Sequence, residues 1–298
     1  MATIEAVPNF SEGRNEDTIN AIRDAAAAVE GVKVLDVQSD KDHNRMVLTL
    51  AGDVDPVFKG VMAAARVGVE KIDLRNHEGE HKRMGAIDVA PFVPVSGIKK
   101  KELKAAVAEF AENFASELNI PVYLYYESAK TPNRERLPDI REGEFEGFAE
   151  KIKLPEWKPD FGPDSIHESA GCTAIGVRPF LIAFNVNLRT DNVKIAKNIA
   201  KAVRGSSGGY AYVQGAGFML EDQGVAQVSM NILDYKKTSI FRVVETIKSE
   251  AARHGVEVDG CELVGAAPMD AFLQCAEFYL KMYGSLEDHM IEKKIWDA

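Results

Sequence analysis

The chain has 298 residues, enough for two domains of ordinary size, and its 46% hydrophobic and 28% charged content is that of a soluble globular protein. A formal net charge of −10 argues against a binder of nucleic-acid backbones, which needs clustered basic surface, and means that an anionic substrate must be held by local cations. The start, Met1-Ala2-Thr3-Ile4-Glu5, has no leader pattern, no apolar run reaches membrane-span length, and three scattered cysteines (Cys172, Cys261, Cys275) frame no disulfides, so a cytoplasmic location is expected.

In chain order, residues 3–8 read as a strand and Asn9-Phe10-Ser11-Glu12-Gly13 as a turn. Residues 15–28 form an alanine-rich helix with Asn15 as its cap. A short strand at 32–37, an alternating one at 45–51, an amphipathic helix at 55–72 and a strand at 87–95 follow. A helix at 101–118 opens on Lys99-Lys100-Lys101, which reads as a solvated helix start, and a strand at 122–125 and a charged region at 133–153 come next. Prolines 155, 159 and 163 with Gly162 and Gly171 forbid a regular element across 154–171, which reads as a linker or binding loop.

The pattern then returns. A strand at 181–187, a helix at 192–203, strands at 211–219 and 225–233, a helix at 239–254 and a strand at 256–264 are expected, then a helix at 269–283 and a polar tail. The Gly205–Gly209 run follows a helix rather than opening one, so it is a connector and not a phosphate cradle. The expected fold class is therefore α/β (α+β): two tandem ferredoxin-like β-α-β-β-α-β subdomains, 1–176 and 177–298. Each is expected to be a four-stranded antiparallel sheet with helices on one face, and the cleft between them is the expected ligand site.

The densest chemistry lies in the stretch from His77 to Val89, with two histidines, three carboxylates, two cations and two glycines. His77-Glu78-x-x-His81 matches a zinc-hydrolase pattern, but that reading needs a continuous helix to bring both imidazoles to one face. Gly79 between the histidines, Gly85 after them and polar flanks argue against such a helix. The remaining histidines (His43, His167, His254, His289) supply no obvious third ligand.

The segments Val7-Pro8-Asn9-Phe10-Ser11-Glu12-Gly13, His77 to Pro94, Val122-Tyr123-Leu124-Tyr125, Trp157 to Pro163, Leu181 to Leu188 and Ala226 to Asp234 together resemble the glutamate formimidoyltransferases. These form the formiminotransferase half of the vertebrate formiminotransferase-cyclodeaminase. The resemblance covers essentially the whole chain. It implies transfer of the formimino group from N-formimino-L-glutamate to tetrahydrofolate in histidine breakdown, giving 5-formiminotetrahydrofolate and L-glutamate. It also implies a homodimer, two subdomains sandwiching folate, no metal, and a standalone form that hands its product to a separate enzyme.

Carried over by residue, the family's catalytic histidine falls on His81, while His77 has no catalytic role implied. The folate loop falls on Gly162, Pro163, Asp164, Ser165, Ile166, His167, Glu168, Ser169, Ala170 and Gly171. Ala170 stands where the vertebrate loop has tryptophan, and Gln38 where the vertebrate chain has aspartate. Expulsion of an amine needs a proton donor, and histidine gives and takes protons near neutral pH. The substrate's amidinium calls for a carboxylate, with Asp40, Glu80 or Asp88 as candidates, and its carboxylates call for arginine, with Arg45 and Arg83 as candidates. Two other readings stand beside this one: a folate-binding module without turnover, and a zinc hydrolase using His77 and His81.

Overall fold

Along Arg45–Asp53 apolar and polar residues alternate, so Met46, Leu48 and Leu50 turn into a core while Arg45, Val47 and Thr49 face the other way. That two-sided strand organises the first half of the protein. The computed structural model describes residues 2–296 and divides into two compact units, 1–178 and 179–298. Among the described residues no helix is long and apolar enough to cross a membrane.

The first unit contains β1 (Thr3–Ala6), β2 (Asn9–Phe10), α1 (Glu16–Ala27), β3 (Val32–Asp40), β4 (Arg45–Asp53), α2 (Val54–Lys71), β5 (Ile87–Ser96), α3 (Lys100–Leu118), β6 (Val122–Leu124), α4 (Leu137–Ile140), α5 (Glu144–Lys151) and β7 (Thr173–Val177). The Asn15 side chain caps α1 by accepting from the Asp17 and Thr18 N–H groups at 3.1 and 3.2 Å. β1 and β2 are one interrupted strand, each paired antiparallel with β4 on one side and β5 on the other. Pro8 has no N–H to give, which splits the expected 3–8 strand and extends its path into the predicted turn. With β3 beside β4, these strands realise the first β-α-β-β-α-β unit.

The sheet does not stop at four antiparallel strands. β7 pairs parallel with β5, and β6 pairs parallel with β7, giving a seven-stranded mixed sheet. β7 lies in a stretch not read as a strand, because five continuously buried residues containing Gly176 show no alternation. Helices α1 to α3 cover one face. On the other face, α4 and α5, from the region read only as charged, lay Ile140 and Phe148 over Val89, Tyr123 and Ala174. The 154–171 segment belongs to the first unit: Phe161 bridges Val122, and Gly171 bridges both His167 and Gly85.

The second unit contains β8 (Ile182–Leu188), α6 (Val193–Val203), β9 (Val213–Leu220), β10 (Val225–Ile232), α7 (Ile240–Arg253), β11 (Val258–Val264), α8 (Met269–Leu280) and α9 (Ile291–Trp296). Its sheet is four-stranded and antiparallel in the order β11-β8-β10-β9, as the doubled pattern predicts. α8 ends earlier than the predicted 283, where Lys281 takes a left-handed conformation, and the predicted tail holds α9.

Candidate active site

The connection from α2 to β5 carries His81, and it is irregular rather than helical from His77 to Ala86. Its path is set by the β3–β4 hairpin beneath it. Asn44, buried and left-handed at φ 50°, gives its side-chain N–H to the Glu78 carbonyl at 2.9 Å and accepts from the Gly13 N–H at 2.9 Å. Glu80 N–H donates to the Asp42 carbonyl at 3.1 Å. A Cβ on Gly79 would lie 2.5 Å from the His43 carbonyl oxygen, so glycine here serves close approach of two backbones.

His77 and Arg83 hold this loop. His77 Nε2 bonds the Asn44 carbonyl at 3.0 Å, and Nδ1 accepts from Arg83 Nε at 3.1 Å, which fixes a neutral ring. Burial, offset by the Asn44 bond and helped by the Arg83 charge, keeps the His77 pKa below its ordinary value. Arg83 is buried, and its other donors go to Glu146 at 2.9 and 2.7 Å, Glu144 at 3.3 Å and the His77 carbonyl at 3.2 Å. All five N–H groups are thus engaged, so Arg83 clamps the loop to the acidic first turn of α5 and offers no free donor for a substrate. The zinc pattern loses its premise as well: the segment is not a helix, and both His77 nitrogens are committed.

His81 is placed differently. Its side chain is 13% exposed, and Nε2 lies 3.8 Å from Asp88 Oδ2, beyond hydrogen-bond reach. That nitrogen is sealed from solvent and has no hydrogen-bond partner. Asp88 reaches it through a β-bulge: Asn9 and Phe10 face Val89 and Ile87, leaving Asp88 as the extra residue. Its Oδ1 accepts from the Met84 N–H at 2.8 Å, and its Oδ2 accepts two N–H groups of Arg141, the Nε one at 2.8 Å. Burial raises the Asp88 pKa, but Arg141, the His81 ring and the Met84 N–H outweigh it and hold the carboxyl at about 2.

For His81, burial dominates and lowers the pKa; Asp88 opposes it, and the charges of Arg141 and Arg45 add to it. The imidazole is therefore neutral at pH 7, ready to accept a proton. Arg45 begins β4 on the same side of the sheet. Its Nε is buried without a partner, and among the described residues no hydrogen bond or ion pair reaches its guanidinium. Burial and the Arg141 charge lower its pKa against the pull of Asp40 and Asp88. Asp40 is exposed, and its Oδ1 is occupied by the Asp42 and His43 N–H groups at 2.9 and 2.8 Å; Glu80 is exposed beside the same hairpin.

The 162–171 loop is fastened to the strand side of this site. Gly85 and Gly171 meet in an antiparallel bridge, Cys172 N–H donates to the Met84 carbonyl at 3.0 Å, and Ala86 N–H to the Ala170 carbonyl at 2.9 Å. A Cβ on Gly85 would sit 2.0 Å from the Cys172 carbonyl oxygen, so Gly85→Ala should cost on the order of 3 kcal/mol, read as a lowered urea midpoint. An unchanged midpoint would show that the junction yields easily. Within the loop, His167 Nδ1 accepts from Ala170 N–H at 3.1 Å, Glu168 pairs with Arg75 at 2.6 Å, and Ala170 is fully buried in the core. Gly162, Asp164 and Ser165 are exposed, whereas Ala170 offers a ligand no side-chain surface.

A buried carboxylate beside a neutral, unpartnered imidazole, with an unpaired arginine nearby, suits proton transfer on an anionic substrate. The chain matches the formiminotransferase domain, N-terminal subdomain, over residues 3–178, and the formiminotransferase domain over residues 183–295. The chain belongs to the formiminotransferase family. It is 46% identical over 292 residues to glutamate formimidoyltransferase of Streptococcus pyogenes serotype M1, covering 98% of this chain and 96% of that one. It is 45% identical over 304 residues to the Thermoplasma acidophilum protein of the same name, covering 100% and 99%. Against the formimidoyltransferase-cyclodeaminase of Rattus norvegicus it is 44% identical over 296 residues, spanning 97% of this chain but 55% of the rat protein.

In this formiminotransferase, Arg141, paired with Asp88, is a residue of the candidate site that the sequence did not suggest. It lies at the end of α4, in a run whose charge density looks like solvated surface, and only the parallel extension of the sheet brings it to Asp88.

Proposed function

We propose that this chain transfers the formimino group from N-formimino-L-glutamate to tetrahydrofolate, giving 5-formiminotetrahydrofolate and L-glutamate, with His81 as acid–base group. The observation that carries the role of His81 is its imidazole set against the ionised Asp88, Nε2 lying 3.8 Å from Oδ2. The N5 lone pair of tetrahydrofolate attacks the amidine carbon and forms the new C–N bond. His81 takes the N5 proton and returns it to the glutamate nitrogen as the old C–N bond breaks. An amine leaves well only when protonated, so one group that takes and gives a single proton serves both halves. Asp88 stabilises the imidazolium between them.

Arg45 is assigned to a substrate carboxylate. A half-buried guanidinium with no directly paired carboxylate costs stability unless a ligand supplies one. Arg45→Met should raise the KM for N-formimino-L-glutamate by roughly 10- to 100-fold with a smaller effect on kcat. A change in kcat alone would remove Arg45 from ground-state binding. Asp40 and Glu80 are the exposed carboxylates proposed for the amidinium, and Gly162, Asp164 and Ser165 the part of the 162–171 loop that meets folate.

The reading is tested by tetrahydrofolate-dependent release of L-glutamate from N-formimino-L-glutamate by the purified chain. Folate binding without release would mean a binding module. The same reading includes a cytoplasmic homodimer in histidine breakdown; a solution mass of one chain would remove the dimer.

A further inference from the structure

His77 is bonded through both ring nitrogens, and its partners leave it a single proton. Nδ1 lies 3.1 Å from Arg83 Nε, a nitrogen that always carries its hydrogen, so Nδ1 is the bare acceptor. The ring proton therefore sits on Nε2 and is given to the Asn44 carbonyl at 3.0 Å. One tautomer and one charge state, the neutral one, satisfy both bonds.

The ring ties the β3–β4 hairpin to α5. On one side Asn44 also holds the Gly13 N–H and the Glu78 carbonyl through its side chain. On the other, Arg83 reaches Glu144 and Glu146, and its carbonyl accepts from the Phe145 N–H at 2.9 Å. Residues 78–82, with His81 among them, run between these two fastenings. A second ring proton must enter at Nδ1, where it would meet the Arg83 Nε–H. The bond is then lost, and two cations face each other in a partly buried place.

The charged groups facing the ring are Arg83 and Arg14 on the positive side and Glu12 and Glu146 on the negative side. Burial leads, and with the two arginines it outweighs the Asn44 carbonyl and Glu12, so the second proton binds less readily than to an ordinary histidine. The fastening is thus complete at neutral pH and is lost as the pH falls through that lowered value.

We propose that His77 is the positioning residue for His81: the neutral ring locks residues 78–82 between the hairpin and α5, and its protonation frees them and withdraws His81 from Asp88. This rests on the acid–base role of His81 given above.

Glutamine offers a donor to Asn44 and an acceptor to Arg83 but takes up no proton. His77→Gln should keep kcat at neutral pH within about threefold of wild type, whereas His77→Ala should lose roughly 10- to 100-fold in kcat with KM little changed. On the acid side, kcat/KM of the wild type should fall with the uptake of two protons, one by His77 and one by His81, and that of His77→Gln with one. A one-proton limb in both proteins, or wild-type kcat in His77→Ala, would overturn the proposal. A second measurement needs neither variant. ¹⁵N NMR of the wild-type ring should show the proton on Nε2 at neutral pH and a second one on Nδ1 on acidification. Amide exchange over residues 77–86, corrected for its intrinsic pH dependence, should rise in step. A ring that titrates with that exchange unchanged, or that carries its proton on Nδ1 at neutral pH, would overturn the proposal too. Because NMR and exchange need no turnover, a wild type that transfers no formimino group would sink the transfer reading while these two still decide whether His77 fastens the loop.

Discussion

Replacing His81 with alanine should lower tetrahydrofolate-dependent glutamate release by roughly 10² to 10⁴-fold while folate affinity stays within about twofold. The size follows from removing one positioned acid–base group; holding two substrates together would still supply part of the rate. The wild-type rate should fall as pH drops through the His81 pKa. Burial, with help from Arg141 and Arg45 and against the pull of Asp88, sets that value below the ordinary histidine range. The acid limb of kcat/KM should therefore lie below about 6.5, because the neutral ring is the form that accepts the N5 proton. Running both proteins with a chelator separates the zinc reading, which requires wild-type activity to vanish. A His81→Ala variant with near-normal turnover would move the proton transfer to another group.

The loop that carries His81 stood out because sequence clusters its chemistry: it is dense in titratable groups, broken by glycine, and lies before an apolar strand. The same density misled over Arg83. From sequence, Arg45 and Arg83 are equivalent cations near a histidine, and only the fold shows that Glu144, Glu146 and His77 exhaust one of them while the other is unpaired. Helical and alternating segments announced themselves by period, so both β-α-β-β-α-β units could be read. The parallel extension could not, since β7 is short and buried on both faces and its pairing depends on a long-range return. Asp88 was visible as a carboxylate, but the bulge that turns it toward His81 is a one-residue mismatch between strands far apart in sequence.

Asp88→Asn should lower kcat by an order of magnitude or more and move the acid limb of the pH profile further down. The direction of the shift follows from the charges around His81. Asp88 opposes the burial that lowers the imidazole pKa, while Arg141 and Arg45 reinforce it, so losing the carboxylate leaves only effects that disfavour the imidazolium. The neutral ring then persists to lower pH, but the charged ring that forms during transfer is less stable. Stability should change too, since the asparagine leaves Arg141 with its guanidinium 14% exposed and no carboxylate against it, a loss of about 3 kcal/mol. In the wild type, a carboxyl held at about 2 rather than its ordinary 3.8 contributes about 2 kcal/mol above pH 4, lost as the pH falls toward 2. Arg141→Lys keeps the charge but gives up the planar fork, and should recover most of the stability and only part of the rate. An Asp88→Asn enzyme that is destabilised but keeps the wild-type pH profile would make the pair a structural strut. A profile displaced to lower pH, measured well below the variant's unfolding temperature, would mean that Asp88 acts on the reaction through His81.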